Sequence, residues 1–144
     1  MKKIVLISCV SMKQDRECKA QDLYISPLFK MNLAYARMQN PDAIYILSAK
    51  YGLVELEQII PPYEQTLNTM KNGQVKDWAI DVIEQMHGKV NFQEDEVIFL
   101  AGERYRKFLQ PLCRNHSIPL EGLGIGRQLQ FLKDAITPHE PQLL

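Results

Sequence analysis

The side chains that could do chemistry in this sequence stand just after short apolar runs. Ser8, Cys9, Ser11 and Lys13 follow the run Ile4 to Ile7. Hydroxyls and open amides at such a point can hold an anion, and a thiol there becomes a nucleophile if its thiolate is stabilised. The plainer reading of Cys9 is a buried thiol in a tight turn, because free cysteines are mostly small core hydrophobes, and no histidine is placed by sequence to activate it.

Lys50 sits between Ser48 and the Tyr51-Gly52 pair, just past a second apolar run. An ammonium there either faces a phosphate, a carboxylate or a developing charge, or it forms an ion pair with Glu64, Glu103 or Glu121. Glu103 suits the positive end of a helix as a cap, whereas Arg104 beside it is misplaced there unless it binds an anion, with Arg106 nearby. The run Gly122-Leu123-Gly124-Ile125-Gly126 leads into a helix and can cradle a phosphate on backbone amides or simply pack closely on a sheet. Its spacing is wrong for a dinucleotide fingerprint, and no second βαβ half follows it.

These residues need a scaffold, and the pattern supplies one. Apolar runs at 3–8, 43–48, 96–101 and 117–120 read as four strands, the first three without alternation, as in strands covered on both faces. Between them lie helical stripes. Ser26-Pro27 starts one that carries Leu28, Met31, Tyr35 and Met38 and stops at Asn40-Pro41. Val75, Trp78, Ala79, Val82, Ile83 and Met86 form the second, and Tyr105, Phe108, Leu109, Leu112 and Cys113 the third. A fourth starts near Gly126 and buries Leu129, Leu132 and Ile136. Alternating strands and helices predict βαβ units and a parallel sheet, with ligands bound beyond the carboxyl ends of the strands, where all the loops named above begin. The stretch 51–68, with Pro61-Pro62, reads as a long loop of the kind that carries function.

A chain of 144 residues with 46% apolar side chains predicts one α/β domain over 1–144. Seventeen basic and seventeen acidic residues cancel, so a polyanion must meet a local patch. No run is long enough for a signal-peptide core or a membrane span, and the cytosol is the expected compartment with no membrane partner. Three cysteines without a CxxC pair argue against a structural metal, and no cofactor is expected.

The same residues carry a family likeness. The chain resembles an uncharacterised bacterial domain family through Ser8-Cys9 with Ser11 and Lys13, Asp22-Leu23-Tyr24 with Ser26, Leu28 and Phe29, and Leu47-Ser48-Ala49-Lys50-Tyr51-Gly52-Leu53. It continues with Pro62-Tyr63, Thr66-Leu67-Asn68, Ala101-Gly102 with Tyr105, and Pro119-Leu120-Glu121-Gly122-Leu123-Gly124-Ile125-Gly126. Leu47-Ser48, Tyr51-Gly52-Leu53, Ile60 and Pro62-Tyr63 also resemble YaaA-type peroxide-stress proteins, which are associated with DNA binding, although this chain is too short for their extra helical elements. The Ser-Cys-x-Ser-x-Lys opening with its Tyr-x-Ser segment is similar to archaeosine-synthase-type domains, which modify a deazaguanine base in transfer RNA. That likeness implies a reactive amine at Lys13, beside its plain reading as a solvated charge.

Together these likenesses imply a three-layer α/β/α fold with a short, mainly parallel four-stranded sheet, uracil-DNA-glycosylase-like or flavodoxin-like. They also imply a nucleobase- or nucleic-acid-directed enzyme working on an N-glycosidic bond or a modified base. In that reading Cys9, Ser11, Lys13 and Lys50 are the reacting groups. Ser8, Ser26, Ser48, Glu103, Arg104, Glu121, Gly122 and Gly124 bind substrate, and Tyr24, Tyr51 or Tyr63 stacks on a base. The partner is then a nucleotide or nucleic acid. The competing expectation is a non-catalytic DNA- or RNA-binding accessory in stress response or phage defence.

Overall fold

Ile4, Val5, Leu6 and Ile7 are all fully buried, as a strand covered on both faces requires, and this strand organises the molecule. The structure is a computed structural model that describes residues 1–8 and 13–137. Strand β1 (Lys3–Ser8) pairs in parallel with β3 (Ala43–Ser48) on one side and with β6 (Glu96–Leu100) on the other. Strand β4 (Gly52–Glu55) adds antiparallel to β3, and β7 (Asn115–Ser117) adds parallel to β6. The order of the five-stranded sheet is β4-β3-β1-β6-β7. Strands β2 (Cys18–Lys19) and β5 (Ile59–Ile60) form a separate two-stranded antiparallel ribbon.

Among the described residues the α-helices are α1 (Ala20–Leu23), α2 (Pro27–Met38), α3 (Asn72–Met86), α4 (Glu103–Arg106) and α5 (Ile125–Ile136). The hydroxyl of Ser26 accepts from the Phe29 N–H at 3.2 Å and Pro27 opens the first turn, so α2 begins where the sequence indicates. Helices α2 and α5 pack on each other, and α2 also packs on β1, while α3 packs on β4. From β1 the chain crosses through α2 to β3. From β3 it returns past β1 through α3 to β6. The two crossovers run in opposite directions along the sheet, so right-handed connections put their helices on opposite faces. The result is a mixed α/β molecule, doubly wound, whose winding reverses between β1 and β6.

Three expectations need correction. The sheet has five strands, because β4 from the stretch 51–68 joins it, and β5 from the same stretch forms the separate ribbon with β2, so that stretch is not wholly an irregular loop. The fourth parallel strand lies at Asn115–Ser117, ahead of the apolar 117–120 segment, and its residues are all exposed. Polar residues at a sheet edge carry no apolar signal. The third helix is also broken. It runs only from Glu103 to Arg106, then a 3₁₀ turn spans Gln110–Leu112, because Pro111 lacks the N–H and clashes with a continuing helix.

Candidate functional site

Where the winding of such a sheet reverses, a crevice opens at the carboxyl ends of the strands. A cavity of about 510 Å³ lies at this place, lined by Ser8 from the end of β1 and by Leu100, Ala101 and Gly102 from the end of β6. The first turns of α2 form one wall with Ser26, Leu28, Phe29 and Asn32. The 118–123 segment and α5 form another, through Leu120, Glu121, Gly122, Ile125 and Gln128, and Asn68, Glu103 and Arg106 also border the opening. The volume and the mainly apolar wall with a few convergent polar groups are those of a small-molecule pocket.

Three charged groups border it. Arg106 is largely buried, with 14% of its side chain exposed, and its Nη1 lies 3.8 Å from a carboxylate oxygen of Glu121. Its Nε donates to the Ala101 carbonyl at 3.2 Å and Nη1 donates to Gln110 Oε1 at 2.9 Å, so the guanidinium is held in place rather than swinging. Glu103, exposed at the start of α4, has no ion pair or side-chain hydrogen bond among the described residues. The neutral polar groups are partly used. The Gly102 N–H donates to Ser8 Oγ at 3.1 Å and ties the two strand ends together, and Gln128 Nε2 donates to the Leu123 carbonyl at 2.8 Å.

One buried side-chain polar atom is unsatisfied among the described residues. Asn32 is 2% exposed, on the buried stripe of α2 that also holds Phe29, Leu33 and Ala36, and its Oδ1 has no hydrogen-bond partner among the described residues. Such an acceptor costs about 1–3 kcal/mol while nothing donates to it. Sequence reasoning passed over Asn32; its one signal was an amide at a core position of an otherwise apolar stripe.

The structure divides the residues singled out from the sequence. Ser8, Ser26, Glu103, Glu121 and Gly122 meet at the cavity, and Gly124 begins α5 beside it with no side-chain cap over the helix N-terminus. Arg104 does not join them: its Nε donates to the Leu67 carbonyl at 2.7 Å and its Nη2 donates to the Met70 carbonyl, so it clamps the 3₁₀ turn Leu67–Thr69. The neighbouring Arg106 takes the place expected for Arg104. Lys50 and Tyr51 border a different depression, with Trp78 and Gln85 of α3, where Lys50 Nζ lies 5.4 Å from the Tyr51 ring centre. Lys50 makes no ion pair with Glu64, Glu103 or Glu121 among the described residues. Ser48 is fully buried and its Oγ accepts from the N–H groups of Lys50 and Tyr51 at 3.3 and 3.0 Å, so it shapes the turn from β3 into β4. The same turn needs Gly52, whose φ is +74° and where a Cβ would stand 2.1 Å from Gln85 Oε1.

Tyr24 and Tyr63 are buried against each other, their hydroxyls 2.5 Å apart, and Lys13 Nζ lies 4.4 Å from the Tyr63 ring centre. These packed rings offer no open face for a base to stack on, and Lys13, Tyr24 and Tyr63 are not part of the cavity wall. Tyr51 packs edge-on against Tyr63 and is half-buried. Cys9 and Ser11 lie outside the described residues. Of the other thiols, Cys113 is buried, which pushes its pKa up to about 11 and leaves it an unreactive core group. Among the described residues no group of three or more histidine, cysteine, aspartate or glutamate side chains could hold a metal ion, and no helix is long and apolar enough to cross a membrane.

A doubly wound α/β protein with a pocket at its switch point is the class that fold and site define. Within it the chain belongs to the family described as "Family of unknown function (DUF6884)", whose model matches residues 4–134 and so runs from the second residue of β1 to within two residues of the end of α5. It is also similar to the "Uncharacterized protein YfjM" of Bacillus subtilis (strain 168), with 28% identity over 148 residues that cover 94% of this chain and 96% of that protein. No solved structure matches the chain.

Proposed function

We propose that the protein is a nucleobase- or nucleic-acid-directed enzyme that acts at an N-glycosidic bond or on a modified base, with the switch-point cavity as its site. The observation that carries this reading is the coincidence, at one strand edge, of an apolar pocket with two carboxylates, a fixed arginine and an uncapped helix N-terminus. A flat heterocycle fills such walls, and polar groups at the rim read its edges. The parallel strands follow the order 2-1-3-4 when counted along the chain, which supports a uracil-DNA-glycosylase-like or flavodoxin-like arrangement. The motif likenesses to archaeosine-synthase-type and YaaA-type proteins lean the same way.

As the C1′–N bond breaks, its electron pair leaves with the base and a nearby carboxylate stabilises the positive charge left on the sugar; water then bonds to C1′ and gives its proton to the carboxylate, from which the departing base nitrogen takes it up. Glu103 has no competing partner among the described residues and suits both tasks. Glu121 is partly neutralised by Arg106 and suits positioning. Incubation with nucleosides and with DNA and RNA that carry deazaguanine or uracil, followed by chromatography of the released base, tests the proposal. Turnover should fall about 10²- to 10⁴-fold in Glu103→Gln. Salt-sensitive binding of nucleic acid without any turnover would instead establish a non-catalytic accessory.

A further inference from the structure

The more buried polar side chains of the switch-point cavity include three hydrogen-bond donors with hydrogens to spare. Asn32 is 2% exposed, and neither atom of its amide has a partner among the described residues. Its Oδ1 is sealed from any ligand, so what the amide offers the cavity is its Nδ2 donor. Arg106 is anchored through Nε to the Ala101 carbonyl and through Nη1 to Gln110 Oε1, which leaves both hydrogens of Nη2 without a partner among the described residues. Ser8 Oγ accepts from the Gly102 N–H, and its own hydrogen remains to donate. The acceptors lie nearer the opening: Glu103 is exposed, Glu121 is 61% exposed, and Gln128 keeps Oε1 once Nε2 has donated to the Leu123 carbonyl. Water screens such carboxylates. Arg106, 3.8 Å from Glu121, and the uncapped N-terminus of α5, with about half a positive charge, offset most of what is left. The rim is therefore close to neutral, and the buried donors decide what enters.

We infer that Asn32, Arg106 and Ser8 form an oxyanion subsite, and that the cavity takes a nucleoside 5′-monophosphate, phosphate first, as a free mononucleotide. Charge-assisted N–H and O–H donors with no acceptor of their own suit phosphate oxygens, and the guanidinium is already held for them. A nucleotide flipped out of a polymer enters the other way round, base first, with its phosphates left on the strand outside. With the phosphate inward, the hydroxyls of the sugar meet the carboxylates at the opening. The inference rests on the nucleobase reading for the rest of the ligand, but not for the oxyanion subsite.

Calorimetric titration of the parent, Asn32→Leu and Arg106→Gln tests this. The probes are adenosine, guanosine, cytidine and uridine, their 5′-monophosphates, ribose 5-phosphate, and a short single-stranded oligonucleotide without a terminal phosphate. The parent should bind at least one monophosphate about tenfold or more tightly than its nucleoside and than the oligonucleotide. Asn32→Leu removes a sealed, unsatisfied acceptor and should melt no lower than the parent, so it and the parent decide the matter even if Arg106→Gln does not fold. Each substitution should weaken the monophosphate by about tenfold and the nucleoside by less than about threefold, so that the preference collapses. A parent that binds the nucleoside as tightly as the monophosphate overturns the subsite and leaves the nucleobase reading standing, and one that prefers the oligonucleotide overturns the free mononucleotide. An undiminished preference in Asn32→Leu overturns the role of Asn32. If ribose 5-phosphate binds as tightly as every mononucleotide and weakens in Asn32→Leu, the oxyanion subsite stands and the nucleobase reading fails. No binding of any probe sinks both.

Discussion

The loop after β6 shows how a residue that looks reactive in sequence is put to structural use. Lys50 and Arg104 each follow a buried strand, and an isolated cation there reads as a ligand for an anion. Arg104 spends its donors on the carbonyl of Leu67, which also accepts from the Met70 N–H at 3.1 Å, and on that of Met70, at the end of a 3₁₀ turn. Arg104→Ala should therefore lower stability by about 1–3 kcal/mol in denaturant titration and leave ligand affinity at the cavity unchanged. Gly52 makes the same point through backbone geometry: a side chain there is strained by the positive φ and collides with Gln85, which receives the Leu53 N–H and donates to the Tyr51 carbonyl. Gly52→Ala should cost more than about 1 kcal/mol, read as a lower urea midpoint at unchanged slope.

At the scale of elements, the start of α2 is both a cap and a wall. Ser26 satisfies the Phe29 N–H and faces the cavity, so Ser26→Ala should reduce stability by about 0.5–2 kcal/mol while Ser26→Asp recovers most of it. Circular dichroism melts on the two variants separate capping from any other role. The start and end of α2, the stripe on α3 and the start of α5 were legible in the sequence because caps, prolines and 3.6-residue spacing are local properties. The interruption at Pro111 overrode a periodic stripe, while β4 gives no signal of its own and the expected fourth strand starts two residues later than β7, because an edge strand is defined by its neighbour rather than by its own composition.

At the scale of the whole molecule, the ends of the sheet are held by Asp95. This carboxylate is 2% exposed and accepts from the Lys2 N–H at 2.9 Å and the Asn91 N–H at 2.8 Å, joining the beginning of β1 to that of β6. Burial alone pushes its pKa up. The two backbone donors, with the charges of Lys2 and the N-terminus, outweigh that and leave it below the ordinary aspartate value. A group whose folded pKa lies below its unfolded one stabilises fully above the unfolded value, near 3.9, and loses that contribution as pH falls through the folded value. Global stability should therefore drop below about pH 4, and Asp95→Asn should flatten that acid limb and lower stability at pH 7, as urea titrations across pH 2–7 would read.

The sequence alone determined the class, a mixed α/β fold with a buried parallel core around Ile4 to Ile7, and the placing of polar loop residues at the carboxyl ends of the strands. Each of these follows from patterns within a few residues of one another. Tertiary structure decided which of those loops share a cavity. Ser8, Glu103, Glu121 and Gly122 meet because β1 and β6 are neighbours at the reversal of winding, while Lys50 is carried to the far side of β1 at the end of β3. It also decided that Arg106 and not Arg104 borders the pocket, and that Asn32 is buried on its wall. One residue's step along a helix turns a side chain by about 100°, and only the packed neighbours determine which way that side chain faces.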